Sequence, residues 1–516
     1  MKTPAHNDFS DDVTSYLARC CNYFSLPELS VLILDGDSTK SYPNNGTSSS
    51  IFKVGSLTKI VTSLSVLLLV AEGKLNLDDK ISSHLDWFDG GVDHALKSQI
   101  TIKEVLLHIS GLPRGDFLKQ NPTQDELQEM LSKQSVKANK GNHPNYKYSN
   151  LGYVILGCVI EALTKTSYAT FVQQQIFNPL EMKDSGFGAH SELTTPHGLH
   201  YFSSTGSKLY NLAEIPTYDA PHAAFDMHAS SRDFSNLMRC ILDGGNFKGN
   251  QVFSQKSISR FFNDTIHLAE NMDAGYGFLR MKAYDGKMIF LDGEHWGHSA
   301  TLMLLPKKKY GIVAMTNRAS GSAELSHLCR SITNYSRSSN VSHLHYNKNM
   351  SELIVGEYVS NSDHLNITSN ANGLFISYNK ERPSYLGYRG RGTYVHSEGG
   401  LAKYLLRMDP TNVNALIIGP YYFQKMGSGY STKAELKHKA ITGIYLNNEV
   451  GRLALFERNT QLILAYSPFR EVSLEKKGGV YIQRDGVFIG DEVKFDQHKK
   501  TMIVGGRIFD KTEEFY

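Results

Sequence analysis

The sequence predicts an α+β body of about 335 residues followed by two small all-β barrels. Three observations carry that expectation. Helical patterns mix with apolar strand-like runs through the first two-thirds of the chain. The segment from Ser336 to Asn349 is polar and rich in Ser, Asn and His, as a linker is. Beyond it come short alternating strands with turn residues between them, and the pattern occurs twice.

Within the body, Ser56 to Gly73 reads as a helix. Its most apolar stretch, Leu64 to Ala71, is far short of the roughly 20 residues that span a bilayer and reads as buried. Leu151 to Thr164 reads as a second helix, with Leu151, Val154, Ile155, Cys158, Val159 and Leu163 at helical spacing. Leu302 to Leu305 and Tyr310 to Met315 read as strands joined by Pro306-Lys307-Lys308-Lys309. An α/β arrangement is the alternative for this region.

The repeat fixes the rest. Val355-Gly356-Glu357-Tyr358 resembles Thr442-Gly443-Ile444-Tyr445, an offset of 87 residues between the glycines. Leu365 and Ile367 then match Leu453 and Leu455, and Leu374, Ile376 and Tyr378 match Leu462, Leu464 and Tyr466. The expected division is 1–335 for the body, 336–349 for the linker, 350–434 for a first, lipocalin-like barrel and 435–516 for a second. One larger sandwich is the alternative.

Composition narrows the function. The chain has 516 residues, 41% hydrophobic and 20% charged, with a net charge of +3. That balance gives no reason to expect nucleic acid or an anionic membrane as partner. The start, Met1-Lys2-Thr3-Pro4-Ala5-His6-Asn7-Asp8, lacks the apolar core of a secretory signal. The five cysteines have no disulfide-like spacing. A reduced, cytoplasmic setting is the expectation.

Chemistry concentrates at Val54-Gly55-Ser56-Leu57-Thr58-Lys59. A helix puts residues i and i+3 on one face, so Ser56 and Lys59 are neighbours. A serine hydroxyl is a poor nucleophile until a base takes its proton. A lysine in an apolar setting has its pKa lowered and can serve as that base. The positive end of the helix favours negative charge developing near Ser56. Ser-x-x-Lys alone is weak, since about two chance occurrences are expected in such a chain. Ser50/Lys53, Ser377/Lys380 and Ser473/Lys476 also match. Ser56 stands out because it follows a glycine and opens a helix of the mixed body. A capping serine beside a solvated lysine is the plain alternative. The second element is Tyr146-Lys147-Tyr148-Ser149-Asn150, just before the helix from Leu151. A tyrosine near a lysine can relay a proton, and Asn150 can bond a substrate amide or the lysine. A polar turn capping the next helix is the alternative here.

These motifs resemble the serine β-lactamase and penicillin-binding-protein superfamily, specifically its esterase and D-aminopeptidase branch. Further stretches resemble that branch: Ile102 to Pro113, Asn178 to Phe187, Met227 to Asp233, and Ala274-Gly275-Tyr276-Gly277-Phe278. The likeness covers roughly residues 10–335. It implies a β-lactamase/transpeptidase-like antiparallel sheet flanked by helices, with a helical lobe beside it. It also implies Ser56 as acylated nucleophile, Lys59 as base, Tyr148 as proton relay and Asn150 as a substrate-holding residue. The two barrels look like the three-domain layout of D-aminopeptidase, which raises a loop from residues 440–516 as a cover for the site.

The third family motif, Lys-Thr-Gly or His-x-Gly, falls on Leu291-Asp292-Gly293-Glu294-His295-Trp296-Gly297-His298-Ser299. Gly293 and Gly297 fit, but Leu291 replaces the cation or imidazole. The resemblance implies an oxyanion hole from the amides of Ser56 and Glu294, one such donor being worth roughly 2.7–4 kcal/mol. Leu291 leaves those amides in place and argues against a substrate whose free carboxylate must be gripped. His295 or His298 offers another route into the site; otherwise both are structural.

His197/His200 and His343/His345 lack a partner set at metal-ligand spacing. Lys307-Lys308-Lys309 reads as a solvated turn, and no phosphate loop occurs. The expectation is therefore a serine hydrolase without cofactor or metal, acting through an acyl-enzyme on a small-molecule ester, amide or peptide, with room for a homodimer. A degenerate ligand-binding protein and an acyltransferase are the alternatives.

Overall fold

The computed structural model describes residues 13–337 and 354–513 apart from intervening stretches, the longest being 116–122, 137–145, 212–222, 397–405, 428–440 and 484–491. The body is built on eight antiparallel strands: β1 (Leu29–Asp35), β2 (Ser38–Asn44), β3 (Ile266–Ala269), β4 (Met272–Ala274), β5 (Leu279–Ala283), β6 (Gly286–His295), β7 (His298–Leu305) and β8 (Tyr310–Thr316). Their order is β3-β4-β5-β6-β7-β8-β1-β2. The first strand of the chain thus pairs with the last of the body, Leu29 opposite Thr316.

Alternation along these strands divides the interior into two layers. Leu32 and Leu34 of β1 and Val313 and Met315 of β8 face the larger core. Val31, Ile33, Ile312 and Ala314 face the smaller one. The larger core is filled by α1 (Thr58–Ala71), α2 (Asn150–Thr164), α3 (Ser231–Leu242) and α4 (Gln255–Asn263). The smaller is closed by α5 (Ser322–Arg337) and by Val13, Leu17, Cys20 and Cys21. An antiparallel sheet with helices on both faces is the expected α+β body.

The helix expected from Ser56 starts later. Gly55–Leu57 forms a 3-10 turn, and the α-helix opens at Thr58. Gly55 sits at φ +52°, where a side chain would run into the backbone of Glu294 at 2.4 Å. The turn is wedged against β6 and cannot begin as regular helix. Residues Thr58 to Leu67 of α1 are all buried, as a helix apolar on every side requires. The helix expected from Leu151 begins one residue earlier, at Asn150.

Two closed eight-stranded barrels follow, one from Gly356 to Lys425 and one from Gly443 to Glu513. The expected linker is only partly visible: α5 takes Ser336 and Arg337, while 338–353, with His343 and His345, lie outside the described residues. The sequence repeat has a structural counterpart. The Tyr358 hydroxyl donates to the Ile354 carbonyl at 3.0 Å, and the Tyr445 hydroxyl to the Ile441 carbonyl at 2.6 Å. The matched pairs Leu365/Ile367 and Leu453/Leu455 fill their respective barrel interiors. On the second barrel, strands Gly451–Arg458 and Gln461–Ser467 present Ala454, Phe456, Ile463 and Ala465 to the first barrel's apolar cluster. The strand Gly451–Arg458 also lies beside the body's strand His197–Ser203. Within residues 440–516, named above as the source of a covering loop, the stretches 448–450 and 484–491 are among those outside the described residues.

Tyr445→Phe removes the hydroxyl that satisfies a buried carbonyl and is expected to destabilise the second barrel by about 1–3 kcal/mol. Chemical denaturation followed by tyrosine fluorescence checks this, with Ser56 reactivity unchanged in native buffer.

Candidate active site

Ser56 lies in the turn that leads into α1, with side chains placed on it from three directions. The capping alternative does not hold: neither the turn nor α1 has a side-chain cap, and it is Thr58 whose hydroxyl bonds the Gly55 carbonyl. The Ser56 Oγ is instead 2.5 Å from the Tyr148 hydroxyl and 3.1 Å from Lys59 Nζ. Two of the competing Ser-x-x-Lys pairs fall away on geometry, and Lys380 of the third lies outside the described residues. Lys53 turns to Asp226, and Ser50 accepts from the Thr47 amide. Ser473 and Lys476 ride on strand Arg470–Lys477, where residues three apart face opposite ways.

Tyr148 and Asn150 arrive on one short segment. Ser149 caps α2, accepting from the Gly152 amide at 2.9 Å, and its hydroxyl donates to the Pro113 carbonyl at 2.6 Å. The Asn150 amide donates to the Arg114 carbonyl at 2.8 Å. Capping and site-building are therefore done by adjacent residues. The Asn150 Oδ1 faces inward and accepts from Lys59 at 2.8 Å.

Lys59 has no exposed surface. Its Nζ donates to Asn150 Oδ1 and, at 2.7 Å, to the Ala224 carbonyl, with Ser56 Oγ as the third neighbour. It lies 4.9 Å from the centre of the Tyr148 ring. Burial, and then the Arg114 guanidinium, hold its pKa well below the usual lysine value. A neutral amine has two N–H bonds and one lone pair. The two carbonyl oxygens match the two N–H bonds, which leaves the lone pair for the serine hydroxyl.

The fourth side is β6. A Cβ on Gly293 would lie 2.1 Å from the Val54 carbonyl oxygen and 3.0 Å from the Ser56 nitrogen. Only a glycine lets the turn and the strand approach this closely. Glu294 points its carboxylate the other way, to the Ser322 hydroxyl and amide at the start of α5. Its backbone therefore stays against Gly55. Leu291 is buried in the larger core. His295 has its Nε2 3.6 Å from Asp226 and its ring centre 5.1 Å from that of Phe225. His298 is wholly buried, bonded to the Thr194 and Trp296 carbonyls, with its pKa pushed down to about 4 chiefly by burial. It is a structural histidine. His197 lies on the Asn317 carbonyl, and the side chain of His200 is outside the described residues.

Several groups here have no role assigned from the sequence, although Gly277 and His108 lie in stretches that resemble the family. The Ala224 carbonyl is one. It belongs to a turn anchored by Asp226, whose carboxylate meets Lys53 at 2.6 Å in a fully buried ion pair and accepts the Gly188 amide. Gly277, at φ +79°, packs its backbone on Lys59, where a Cβ would lie 2.9 Å from the Lys59 carbonyl. His108 grips the Tyr148 segment.

A sheet of this order, with a serine, lysine and tyrosine converging at the head of a buried helix, defines a β-lactamase-like class of protein. Residues 25–328 match the Beta-lactamase family model, and the chain belongs to that family. Among curated proteins it is similar to protein flp of Staphylococcus aureus, 26% identical over 296 residues, which cover 56% of this chain and 58% of that protein. The chain thus spans less than two-thirds of that relative's length. The octameric penicillin-binding protein homologue from Pyrococcus abyssi has a similar structure, with TM-score 0.56, 16% identity and coverage of 89% of this chain and 99% of that one. A D-stereospecific amidohydrolase from a Streptomyces species is similar over 60% of this chain and 94% of its own, at TM-score 0.50 and 20% identity. At these identities the structural likeness is one of fold.

Gly293→Ala forces the Val54–Ser56 turn off β6. It is expected to lower the rate at which Ser56 reacts with a fluorophosphonate by about 10²–10³-fold, the effect of losing one oxyanion donor. Stopped labelling followed by intact-mass analysis measures it.

Proposed function

We propose that the chain is a serine hydrolase that forms an acyl-enzyme on Ser56 with small ester, amide or peptide substrates. The observation that carries this reading is the environment of Lys59, a buried amine with two carbonyl acceptors and Ser56 Oγ at 3.1 Å. Ser56 attacks the substrate carbonyl as Lys59 takes its proton. The amides of Ser56 and Glu294 hold the oxyanion. Tyr148, 2.5 Å from Ser56 Oγ, passes a proton to the leaving group. Water then attacks the acyl-enzyme by the reverse path. The chain's own groups supply each of these steps.

The substrate class follows from Leu291. An apolar side chain at that place offers no grip on a free carboxylate, which favours esters or peptides recognised by their amino end. Esterase or D-amino-acid peptidase activity is the form that fits. An acyltransferase would use the same acyl-enzyme with an alcohol or amine in place of water. A ligand-binding protein on this fold is the reading that Leu291 favours if the acyl-enzyme does not form.

Fluorophosphonate and fluorescent penicillin labelling tests the proposal. Wild-type protein is expected to gain one stable adduct, absent from Ser56→Ala and reduced at least about 10³-fold in Lys59→Met. Absence of any adduct with several acylating probes would sink it. Hydrolysis of p-nitrophenyl esters and of D- and L-amino acid anilides then ranks substrates, and added alcohol acceptors reveal acyl transfer.

The pH dependence has a definite sign. The active form has neutral Lys59, and burial lowers its pKa from the ordinary 10.5. Reactivity is therefore expected to rise with pH through the lowered value and to level off below 10.5. The rate of labelling by an uncharged ester probe across the range measures it. A limb that climbs only at the free-lysine value would contradict it.

A further inference from the structure

We propose that His108 is the positioning residue of Tyr148, acting through both backbone amides that flank the phenol; the inference rests on the proton-relay reading of Tyr148. Tyr148 sits on a stretch without regular secondary structure between residues 146 and 149. Such a stretch does not hold a hydroxyl 2.5 Å from its partner unless something fixes the backbone on each side. The Lys147 amide donates to the His108 carbonyl at 2.7 Å. The Ser149 amide donates to the His108 Nδ1 at 3.1 Å. One residue thus receives the peptide N–H before Tyr148 and the one after it.

The imidazole also lies against the ring it positions. Its centre is 4.5 Å from that of Tyr148 and 5.0 Å from that of Tyr153 on α2. Tyr153 is pinned in turn, its hydroxyl donating to the Leu106 carbonyl at 2.9 Å. His108 adopts φ +57°. That left-handed turn lets its carbonyl and its ring address the same strand of chain, and His and Asn are among the few residues with side chains that tolerate it.

The chemistry of the ring is fixed by this contact. An Nδ1 that accepts an amide proton carries none itself, so the imidazole is neutral with its proton on Nε2. Burial lowers the His108 pKa well below 6.5 and keeps the ring neutral. A protonated ring would point an N–H at the Ser149 N–H and release the segment. His108 touches neither Ser56 nor substrate in this role. It acts through Tyr148 alone.

The test compares wild type with His108→Asn and His108→Gly, both compatible with the left-handed backbone. Asn keeps an acceptor near the Nδ1 position, and Gly removes it. Thermal melting establishes that each variant is folded. In His108→Gly, kcat for a p-nitrophenyl ester is expected to fall about 100-fold, the effect of roughly 1 Å of misplacement. KM should stay within about twofold, since only the transition state is affected. His108→Asn should recover most of the loss, and imidazole added to His108→Gly should recover part of it. A folded His108→Gly with wild-type kcat, or a His108→Asn as slow as the glycine variant, overturns the proposal. Histidine-selective ¹⁵N NMR of the wild type gives a second reading that needs no variant: an unprotonated Nδ1 supports the clamp, a protonated one overturns it. Wild-type protein that forms no Ser56 adduct would defeat the hydrolase reading itself, and the nitrogen spectrum would still decide whether the clamp exists.

Discussion

A lysine without exposed surface is the constraint around which this site is built. Taking an ammonium out of water is costly, and a buried amine avoids much of that cost by losing its proton. Lys59 then needs acceptors for two N–H bonds, and they come from far along the chain, Asn150 at the head of α2 and Ala224 from the turn before α3. Each carries its own support. Asn150 is tied to the Arg114 carbonyl. Ala224 is tied through the buried Lys53–Asp226 pair, whose second carboxylate oxygen accepts the Gly188 amide. That pair is poor evidence for stability in itself, since desolvation offsets much of the attraction. Its value here is placement.

Close backbone approach is the second requirement, and three glycines meet it. Gly55 clears the backbone of Glu294, Gly293 clears the Val54 carbonyl and Ser56 amide, and Gly277 clears the carbonyl of Lys59. The side chains at these positions are missing because backbone from another element occupies their space. The same contacts delay the start of α1 to Thr58. The displaced start leaves Ser56 in a turn, with its hydroxyl free of capping duty and directed at Tyr148.

What the sequence reveals and what it hides follows from this division. Ser56 and Lys59 are legible because an i, i+3 relation on a helix is local. Tyr148 and Asn150 emerge from a pattern that the family shares, since nothing in their own neighbourhood distinguishes a relay from a helix cap. The barrels are legible because their two copies repeat the same tyrosine corner, Tyr358 on Ile354 and Tyr445 on Ile441. Ala224 is invisible because a carbonyl acceptor needs no particular side chain. His108 lies in a stretch that resembles the family, but its role is hidden because its ring meets residues some 40 positions away, on a loop with no periodicity to place it. His295 and His298 look alike in sequence, yet one lies beside Asp226 and Phe225 and the other is walled into the Thr194 carbonyl.

The pleat of β6 decides how the missing third-motif cation can be made up. The Cβ direction of Gly293 points at the Ser56 turn, so Leu291 and His295 share that face while Asp292 and Glu294 take the other. Asp292 accepts from Thr301 and Ser326, and Glu294 from Ser322, both away from the site. Neither carboxylate can turn round without breaking the strand. His295 is on the same face as Gly293 and one pleat repeat beyond it, roughly 6–7 Å along the strand, where it lies beside Asp226 and Phe225. Neither carboxylate of β6 therefore replaces the cation that Leu291 displaces. The strand offers substrate its backbone, Leu291 being buried in the larger core, and the positive charge that acts on Lys59 is that of Arg114. A substrate that brings its own carboxylate to the Leu291 end would lose water there and gain no partner.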